Sequence, residues 1–403
     1  MHKTESLLAA KDKLLTVTSR PEIVMHAGEG AYLTDTEGRK YLDFVAGWAV
    51  NSLGHSPQVI SDILSKQAKQ LVNSSPSFYN TPMLEYAERL TESAQLDRVF
   101  FTSTGAEANE SAIKLARKYG SLRKSGAYEI ITTHHSFHGR TLTTMAATGK
   151  AHWENLFEPK SKGFLKANYN DLNSIRSLIN DKTCAVMLEP IQGEGGVNVP
   201  SLDFMQGLRE LCTQTNTLLI FDEVQTGMGR TGEMFCFEHF GIKPDILTLG
   251  KGIGGGFPLS AMLCTEALNI FEPGDQGGTY TGQPLAMAVG LAVLNELQNN
   301  DVLENCRQQS HYLFERLTTL SEKYAISNIR GKGLLIAFDC DQQDANQLSR
   351  ECLNNGLLIN APKANSIRLM PPLTIKREEI DSMLDILSHS IENLNQTTKD
   401  KIK

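Results

Sequence analysis

Short apolar runs that alternate with helical stretches constrain the fold of this chain more than any other feature of the sequence. From about residue 56 onward, the runs lie at residues 98–101, 129–132, 185–188, 218–221 and 246–248. Uninterrupted apolar strands are typical of sheets buried on both faces, and strands that alternate with helices favour parallel pairing. We therefore predict an α/β fold with a large domain built on a mostly parallel sheet covered by helices.

The two ends of the chain predict a second, smaller unit. Residues 22–46 contain three apolar runs, the first at 22–25, separated by turn residues such as the Gly-Glu-Gly at 28–30. Near the other end, a long helical pattern at 302–323 precedes further short strands. We expect a smaller α+β domain built from both chain ends. The predicted segments are residues 1–55, contributing to the small domain, 56–300, the large domain, and 301–403, the C-terminal small domain.

Composition limits the kinds of partner. The chain has 403 residues, of which 40% are hydrophobic, so it can bury a sizeable core. A formal net charge of −7 without any Lys/Arg block argues against nucleic acid and favours small-molecule substrates. No stretch reaches the roughly 18 apolar residues of a membrane span, and residues 1–6 show no signal-peptide pattern. We expect no membrane partner and a cytoplasmic location.

The seven cysteines are scattered, with no two of them within four residues of each other. This spacing suggests neither a zinc ribbon nor a redox pair. Reduced core thiols in a reducing compartment are the expectation.

Two segments carry the strongest chemical signal. Lys251 lies in the run Thr-Leu-Gly-Lys-Gly-Ile-Gly-Gly-Gly-Phe, and Asp222 lies in Phe-Asp-Glu-Val-Gln at the end of a predicted strand. A lysine amine among glycines can form an imine with an aldehyde cofactor, because the missing side chains let a flat ring and its phosphate approach the backbone. A carboxylate can keep a pyridine nitrogen protonated, as the electron sink of pyridoxal phosphate requires. Each residue alone also fits a solvated lysine or a helix cap, but the pair indicates amine chemistry.

Two glycine-containing segments follow other predicted strands. In residues 103–110, hydroxyl side chains and Gly105 and Ala106 open a helix, where exposed amides and the helix dipole can hold a phosphate. The same segment also fits an ordinary capped helix with no ligand. In residues 189–196, Glu194 lies in a glycine-rich turn from which it can reach a cleft or remain solvated.

Residues 134–141 follow the strand predicted at 129–132 and combine an aromatic ring with an arginine. Phe137 can stack on a flat ring, and Arg140 can grip a carboxylate with its planar guanidinium. Core packing is the alternative for Phe137. A zinc site made of the histidines at 134, 135 and 138 is a further alternative, but no carboxylate or cysteine has suitable spacing, so no metal is predicted.

These stretches, in this order, resemble the class III aminotransferases, the pyridoxal-phosphate enzymes of fold type I, and most closely their acetylornithine/ornithine group. The resemblance extends from residues 41–55 through 367–373, and its most specific segments are 189–196, 221–232 and 251–259. It implies pyridoxal 5'-phosphate as cofactor, with Lys251 as the covalently linked lysine and Asp222 as the partner of the pyridine nitrogen.

The remaining cofactor contacts follow from the same resemblance. Gln225 matches a hydrogen-bond donor to the ring hydroxyl, and Phe137 and Val224 match the residues on either face of the ring. Gly105 and Ala106 would offer backbone amides to the phosphate. Thr279 matches a threonine that reaches the phosphate of the neighbouring subunit, which implies a homodimer with shared active sites.

The resemblance also implies two substrates for one pocket. Arg140 and Arg368 match carboxylate-binding arginines, and Glu194 matches a glutamate that covers Arg368 until 2-oxoglutarate enters. The activity implied is transfer of the terminal amine of N-acetylornithine or ornithine to 2-oxoglutarate, giving the semialdehyde and glutamate.

Departures from the family pattern lie beside the substrate site. Gly278 stands where acetylornithine enzymes usually have serine, Gln276 and Gln283 replace their histidine and asparagine, and Trp48 stands where ornithine enzymes can carry a tyrosine. The run Gly-Gly-Thr-Tyr at 277–280 is closer to 4-aminobutyrate aminotransferases, so 4-aminobutyrate or another ω-amine is the alternative donor. An isomerase of the same fold, working without 2-oxoglutarate, and a non-catalytic cofactor-binding protein are further alternatives.

Overall fold

A computed structural model describes residues 3–402 as three β-sheets surrounded by helices. The strands, in chain order, are β1 (Met25–Glu29), β2 (Tyr32–Asp35), β3 (Lys40–Asp43), β4 (Arg98–Thr102), β5 (Glu129–Thr133), β6 (Phe164–Ala167), β7 (Thr183–Leu188), β8 (Leu218–Glu223), β9 (Ile246–Leu249), β10 (Ser260–Cys264), β11 (Ile326–Lys332), β12 (Leu335–Cys340), β13 (Leu357–Leu358), β14 (Asn360–Lys363) and β15 (Ser366–Leu369).

The helical segments, in chain order, are α1 (Lys3–Leu8), α2 (Ala46–Ala49), α3 (Gln58–Ala68), α4 (Thr81–Ala94), α5 (Gly105–Arg123), α6 (Leu142–Ala147), α7 (Leu172–Leu178), α8 (Leu202–Gln214), α9 (Pro284–Asn299), α10 (Val302–Lys323), α11 (Ala345–Asn354) and α12 (Arg377–Ile402). Of these, α2 is a left-handed turn rather than an ordinary helix. In the described part of the chain, no helix combines the length and apolarity that crossing a bilayer needs.

The large sheet has seven strands in the order β4-β10-β9-β8-β7-β5-β6. Only β10 runs antiparallel to its neighbours, so the predicted mostly parallel sheet is confirmed. Every residue of β7, β8 and β9 is buried, as expected of strands covered on both faces. The sequence pattern did not single out β6, which is short and carries Lys166, or β10, which follows the glycine-rich segment directly.

The small unit joins the two ends of the chain. Strands β1, β2 and β3 form the predicted meander, and β13, from the C-terminal part, pairs with β3 in parallel. A second sheet, in the order β11-β12-β15-β14, is antiparallel throughout. The predicted small domain built from both chain ends is therefore confirmed, whereas its boundaries at residues 55 and 300 stay a prediction.

One detail of the predicted meander was wrong. We expected a strand at residues 22–25 and a turn at 28–30, but β1 runs from Met25 to Glu29 and passes through Gly28. Gly28 lies close against His55, so that a Cβ atom there would be 2.8 Å from the Cβ of His55. The glycine therefore serves close packing inside a strand rather than a turn.

Helix α5 packs closely on its surroundings at Gly120, and this contact can be tested by mutation. A Cβ atom at Gly120 would lie 1.9 Å from the carbonyl oxygen of Ala127, whereas one at Gly207 in α8 would lie 2.8 Å from the flexible end of Leu172. Alanine stabilises a helix interior by ~1 kcal/mol relative to glycine, but a clash with backbone costs ~1–3 kcal/mol or more. We expect Gly120→Ala to lower the melting temperature by several degrees, and Gly207→Ala to leave it unchanged or raise it. Equal melting temperatures for the two variants would contradict this packing.

Candidate active site

A cavity of about 470 Å³ opens at the carboxyl edge of the large sheet, where the segments after β4, β5, β7, β8 and β9 meet. Its lining includes most of the predicted site residues: Gly105, Ala106, Phe137, Arg140, Glu194, Asp222, Val224, Gln225 and Lys251. Open α/β sheets generally bind ligands at this edge. The structure thus brings together side chains that lie far apart in the sequence.

The carboxylate of Asp222 is the most firmly held group of the cavity. Its Oδ2 atom accepts hydrogen bonds from Asn109 Nδ2 and His138 Nδ1, each at 2.8 Å, and its Oδ1 atom accepts one from the amide of Val224 at 3.1 Å. Asn109 is held in turn by Thr248 on β9, whose hydroxyl donates to Asn109 Oδ1 at 2.7 Å. These bonds fix the orientation of the Asp222 carboxylate.

Lys251 follows β9 and adopts a left-handed backbone conformation, with φ at 48°. Burial lowers the pKa of its amine from the usual range of lysine to about 8. The nearby guanidinium of Arg368 also lowers this pKa, whereas the carboxylate of Glu194 raises it. A much larger fraction of the amine is therefore neutral near pH 7 than in a surface lysine, which is the state that a nucleophile or base requires.

The start of α5 has a complete capping box, and its first residues, Gly105 and Ala106, line the cavity. Thr104 Oγ1 accepts a hydrogen bond from the amide of Glu107 at 3.3 Å, and Glu107 Oε2 accepts one from the amide of Thr104 at 2.9 Å. The amides of Gly105 and Ala106 belong to the first turn, where no preceding turn supplies an acceptor. A Cβ atom at Gly105 would lie 2.7 Å from Cγ1 of Val224, so glycine is required for this close approach.

Phe137 is anchored through its backbone, and Arg140 lies on the open side of the cavity. The amide of Phe137 donates to Glu189 Oε2 at 3.0 Å. Burial, followed by the charge of Asp222, raises the pKa of Glu189 well above its usual range. The guanidinium of Arg140 lies 5.9 Å from the ring centroid of Phe137 and 5.2 Å from that of Trp153. Arg140 is exposed, and it is therefore free to meet an anion that enters the cavity.

Arg368 lies on β15 behind the cavity and is completely buried. Its Nη2 atom donates to Glu194 Oε1 at 2.6 Å and to Asn360 Oδ1 at 2.7 Å, and its Nη1 atom donates to Gln225 Oε1 at 3.2 Å. Because Arg368 does not itself line the cavity, Glu194 and Gln225 stand between its guanidinium and the open space. The predicted contact between Arg368 and Glu194 is present in this geometry.

Glu194 contacts a second cation as well. Its Oε2 atom lies 3.4 Å from Nζ of Lys150, in addition to the bond with Arg368. Burial alone would raise the pKa of Glu194, but the charges of Arg368, Lys251 and Lys150 outweigh it and lower the pKa to about 2. Glu194 is therefore a carboxylate at any physiological pH.

Trp48 also contacts Arg368, whose guanidinium lies 5.7 Å from the centroid of its ring. It lies on the turn α2, where Ala46, Gly47, Trp48 and Ala49 all have positive φ, between 48° and 69°. Left-handed residues with side chains cost ~1–2 kcal/mol each. Asp43 stabilises the turn, since its Oδ1 atom accepts hydrogen bonds from the amides of Val45 at 2.8 Å and Ala46 at 2.9 Å.

Two predicted residues lie elsewhere. Gly278 and Thr279 line a separate cavity of about 280 Å³, together with residues such as Glu107 and Glu110 and with none of the residues of the main cavity. Both are exposed in this single chain. The structure of one chain therefore does not bring Thr279 to the cavity that contains Lys251.

The sequence did not reveal the roles of four residues at the site. Asn109 and His138 bind Asp222, Glu189 binds the amide of Phe137, and Lys150 contacts Glu194. The histidine was considered only as a zinc ligand, and among the residues that the structure describes no three His, Cys, Asp or Glu side chains are grouped so as to hold a metal ion. Asn109 and Lys150 carried no local motif, because their contacts join segments about 40 to 110 residues apart. Only the position of Glu189 directly after a buried strand was available as a signal.

Comparison with known proteins identifies the family. The family model for class III aminotransferases matches residues 16–391. The chain is 49% identical to acetylornithine aminotransferase 2 of Bordetella pertussis, over 93% of this chain and 95% of that protein, and 51% identical to acetylornithine aminotransferase of Ralstonia nicotianae, over 93% and 96%.

Solved structures agree with this family. The ornithine aminotransferase of Toxoplasma gondii superimposes with a TM-score of 0.94 at 31% identity, over 98% of this chain and 97% of that chain. Acetylornithine aminotransferase of Elizabethkingia anophelis gives 0.85 at 34% identity, over 97% and 99%. With the family matched over almost its whole length and the fold shared with these enzymes, the chain belongs to the class III aminotransferases, which are pyridoxal-phosphate-dependent transferases of fold type I.

Proposed function

We propose that this chain transfers the terminal amine of N-acetylornithine, or of ornithine, to 2-oxoglutarate, giving the semialdehyde and glutamate. The ion pair of Glu194 with the buried Arg368 beside Lys251 carries this proposal. A dicarboxylate such as 2-oxoglutarate can use two cationic contacts, and Arg140 in the cavity lining and Arg368 behind Glu194 can provide them. The relatives from Bordetella and Ralstonia, named acetylornithine aminotransferases, support the identity of the donor.

The residues of the cavity fit pyridoxal phosphate. The side-chain nitrogen of Gln225 is buried and has no hydrogen-bond partner among the described residues, so it can donate to the ring hydroxyl. Asp222 suits a protonated ring nitrogen, and the first-turn amides of Gly105 and Ala106 suit a phosphate. Phe137 and Val224 would enclose the ring, and the volume of about 470 Å³ lies within the usual range for cofactor sites.

When bound, pyridoxal phosphate supplies an electron sink for the bonds of the amine-bearing carbon of the substrate. Lys251 would hold the cofactor, and its Nζ atom would accept the proton from that carbon of the substrate. Burial lowers the pKa of this amine to about 8, so a much larger fraction of it is neutral than in a surface lysine, as a base requires. Asp222, oriented by Asn109 and His138, holds the ring nitrogen in its cationic form.

The donor would use one of the two arginines, and 2-oxoglutarate would use both. Arg140 binds the carboxylate of the donor while Glu194 covers Arg368, so the second cation is neutralised when a donor with one carboxylate is present. When 2-oxoglutarate enters, its distal carboxylate binds Arg140 as the donor's does, and the carboxylate beside its keto carbon replaces Glu194 on Arg368. One cavity can then serve both half-reactions.

We also propose a homodimer in the cytoplasm. Gly278 and Thr279 are exposed and separate from the cavity of their own chain, as expected if Thr279 completes the phosphate site of the neighbouring subunit. All seven cysteines are buried and unpaired, which suits a reducing compartment.

The role of Lys251 predicts both a spectrum and a pH profile. Capture of pyridoxal phosphate by cofactor-free enzyme needs the neutral amine, so its rate should rise about tenfold per pH unit below pH 8 and level off above, in line with the lowered pKa of about 8. Lys251→Ala should lose both the visible absorbance of the lysine-linked cofactor and turnover, whereas the exposed control Lys243→Ala should keep both. Unchanged transamination in Lys251→Ala would refute the assignment.

The proposed donor is tested by steady-state kinetics with N-acetylornithine, ornithine and 4-aminobutyrate side by side, with 2-oxoglutarate as acceptor. We expect N-acetylornithine to have the highest kcat/KM, since a preference of ~1.4 kcal/mol already gives about a tenfold difference. A preference for 4-aminobutyrate would favour the alternative suggested by the run Gly-Gly-Thr-Tyr at 277–280. Turnover of one amine without any 2-oxo acid would indicate an isomerase.

The proposed dimer predicts a defect in cofactor retention. We expect sedimentation to give the mass of two chains, and Thr279→Ala to weaken binding of pyridoxal phosphate about tenfold through loss of one hydrogen bond to a charged group. Thr319→Ala, an exposed threonine of α10, is the matched control and should retain the cofactor. A monomer, or full retention in Thr279→Ala, would contradict a shared site.

A further inference from the structure

Lys150 is the second cation of Glu194, and neither the sequence motifs nor the proposed function gives it a role. Its Nζ atom lies 3.4 Å from Glu194 Oε2, on the opposite oxygen from the one that Arg368 binds. Among the described residues, Glu194 is the only carboxylate within 4.0 Å of this ammonium group. The Glu194 carboxylate therefore bridges a completely buried guanidinium and a partly exposed ammonium.

The position of Lys150 is well defined. The preceding residue, Gly149, exchanges backbone hydrogen bonds with the segment before Phe137, donating to the carbonyl of Ser136 at 3.1 Å and accepting from the amide of His135 at 2.9 Å. The ammonium itself lies 4.9 Å from the ring centroid of Phe137 and 5.3 Å from that of Trp153. Backbone pairing and two aromatic rings thus hold this cation beside Glu194, which lines the cavity.

The two oxygens of Glu194 differ in what happens to them during turnover. If a substrate carboxylate takes Arg368, Glu194 must give up its bond at 2.6 Å to Nη2. A carboxylate whose side chain is only 22% exposed is poorly solvated, and its separation from the guanidinium is unfavourable unless another cation stays beside it. Lys150 is such a cation. It contacts Oε2 of Glu194, so a substrate carboxylate can replace Oε1 on Arg368 without breaking this contact.

Resting on the proposed exchange at Arg368, we propose that Lys150 is a positioning residue that holds the carboxylate of Glu194 once Glu194 has left Arg368. It thereby favours binding of dicarboxylate acceptors over the state in which Arg368 is covered. In the donor half-reaction Glu194 keeps Arg368, and the loss of Lys150 has much less effect there.

The test measures the two half-reactions of the holoenzyme separately by stopped-flow absorbance. Lys150→Met should raise the apparent KM for 2-oxoglutarate about tenfold, the range of a charge-assisted contact, with a limiting rate close to that of wild type. Succinic semialdehyde keeps the distal carboxylate but has none beside its carbonyl carbon, so it leaves Glu194 on Arg368 and its half-reaction should change far less. Lys150→Arg should restore most of the affinity for 2-oxoglutarate, and the exposed control Lys162→Met should behave as wild type.

A double-mutant cycle with Glu194→Gln separates a positioning role from a merely structural one. Once Glu194 is neutral, Lys150→Met should have no further effect on the KM for 2-oxoglutarate. The proposal is overturned if Lys150→Met affects 2-oxoglutarate and succinic semialdehyde equally, if it lowers the limiting rate without raising KM, or if its effect persists in the Glu194→Gln background. A wild-type enzyme that does not use 2-oxoglutarate would overturn the proposed function itself, a result distinct from any difference between Lys150→Met and wild type.

Discussion

The carboxylate of Asp222 joins more parts of this molecule than any other group at the cavity. It is delivered by the buried strand β8, and it accepts hydrogen bonds from Asn109 on α5 and from His138 in the segment after β5. Through Asn109 it is also linked to Thr248 on β9, the strand that precedes Lys251. A shift of any of these elements would misplace the carboxylate, so the packing of helix on sheet and the orientation of the Asp222 side chain depend on each other.

The balance of charges in the cavity accounts for the protonation states of its other acids. Within one small volume the chain gathers three acids, Asp222, Glu189 and Glu194, with the cations Lys251 and Arg368. Their environments separate their protonation states. Burial and the neighbouring Asp222 favour the neutral form of Glu189, whereas the surrounding cations keep Glu194 ionised. Two glutamates five residues apart can therefore play different parts, one as a neutral anchor for the backbone and the other as an exchangeable counterion.

Much of this arrangement was accessible from the sequence. The apolar runs predicted five strands of the large sheet, and the carboxyl edge of a parallel sheet is where residues such as Asp222 and Lys251 must meet. Local motifs therefore located the residues that lie directly after strands. Asn109 and Lys150 could not be found in this way, because their roles arise from contacts with Asp222 and Glu194, which are distant in the sequence. The bounds predicted for β1 were wrong for the same reason, because Gly28 is required by its contact with His55 and not by a turn formed with its neighbours in the sequence.

The left-handed turn at residues 46–49 has a consequence for engineering of this chain. Ala46 and Ala49 are buried, so glycine would relieve their backbone without adding volume, whereas either glycine or asparagine would relieve it at the half-exposed Trp48. The same exchange at position 48 would remove the indole that lies against Arg368. At position 48 a relaxed backbone and a ring packed on the buried guanidinium therefore exclude each other, whereas Ala46 and Ala49 can be changed to glycine without loss of this contact.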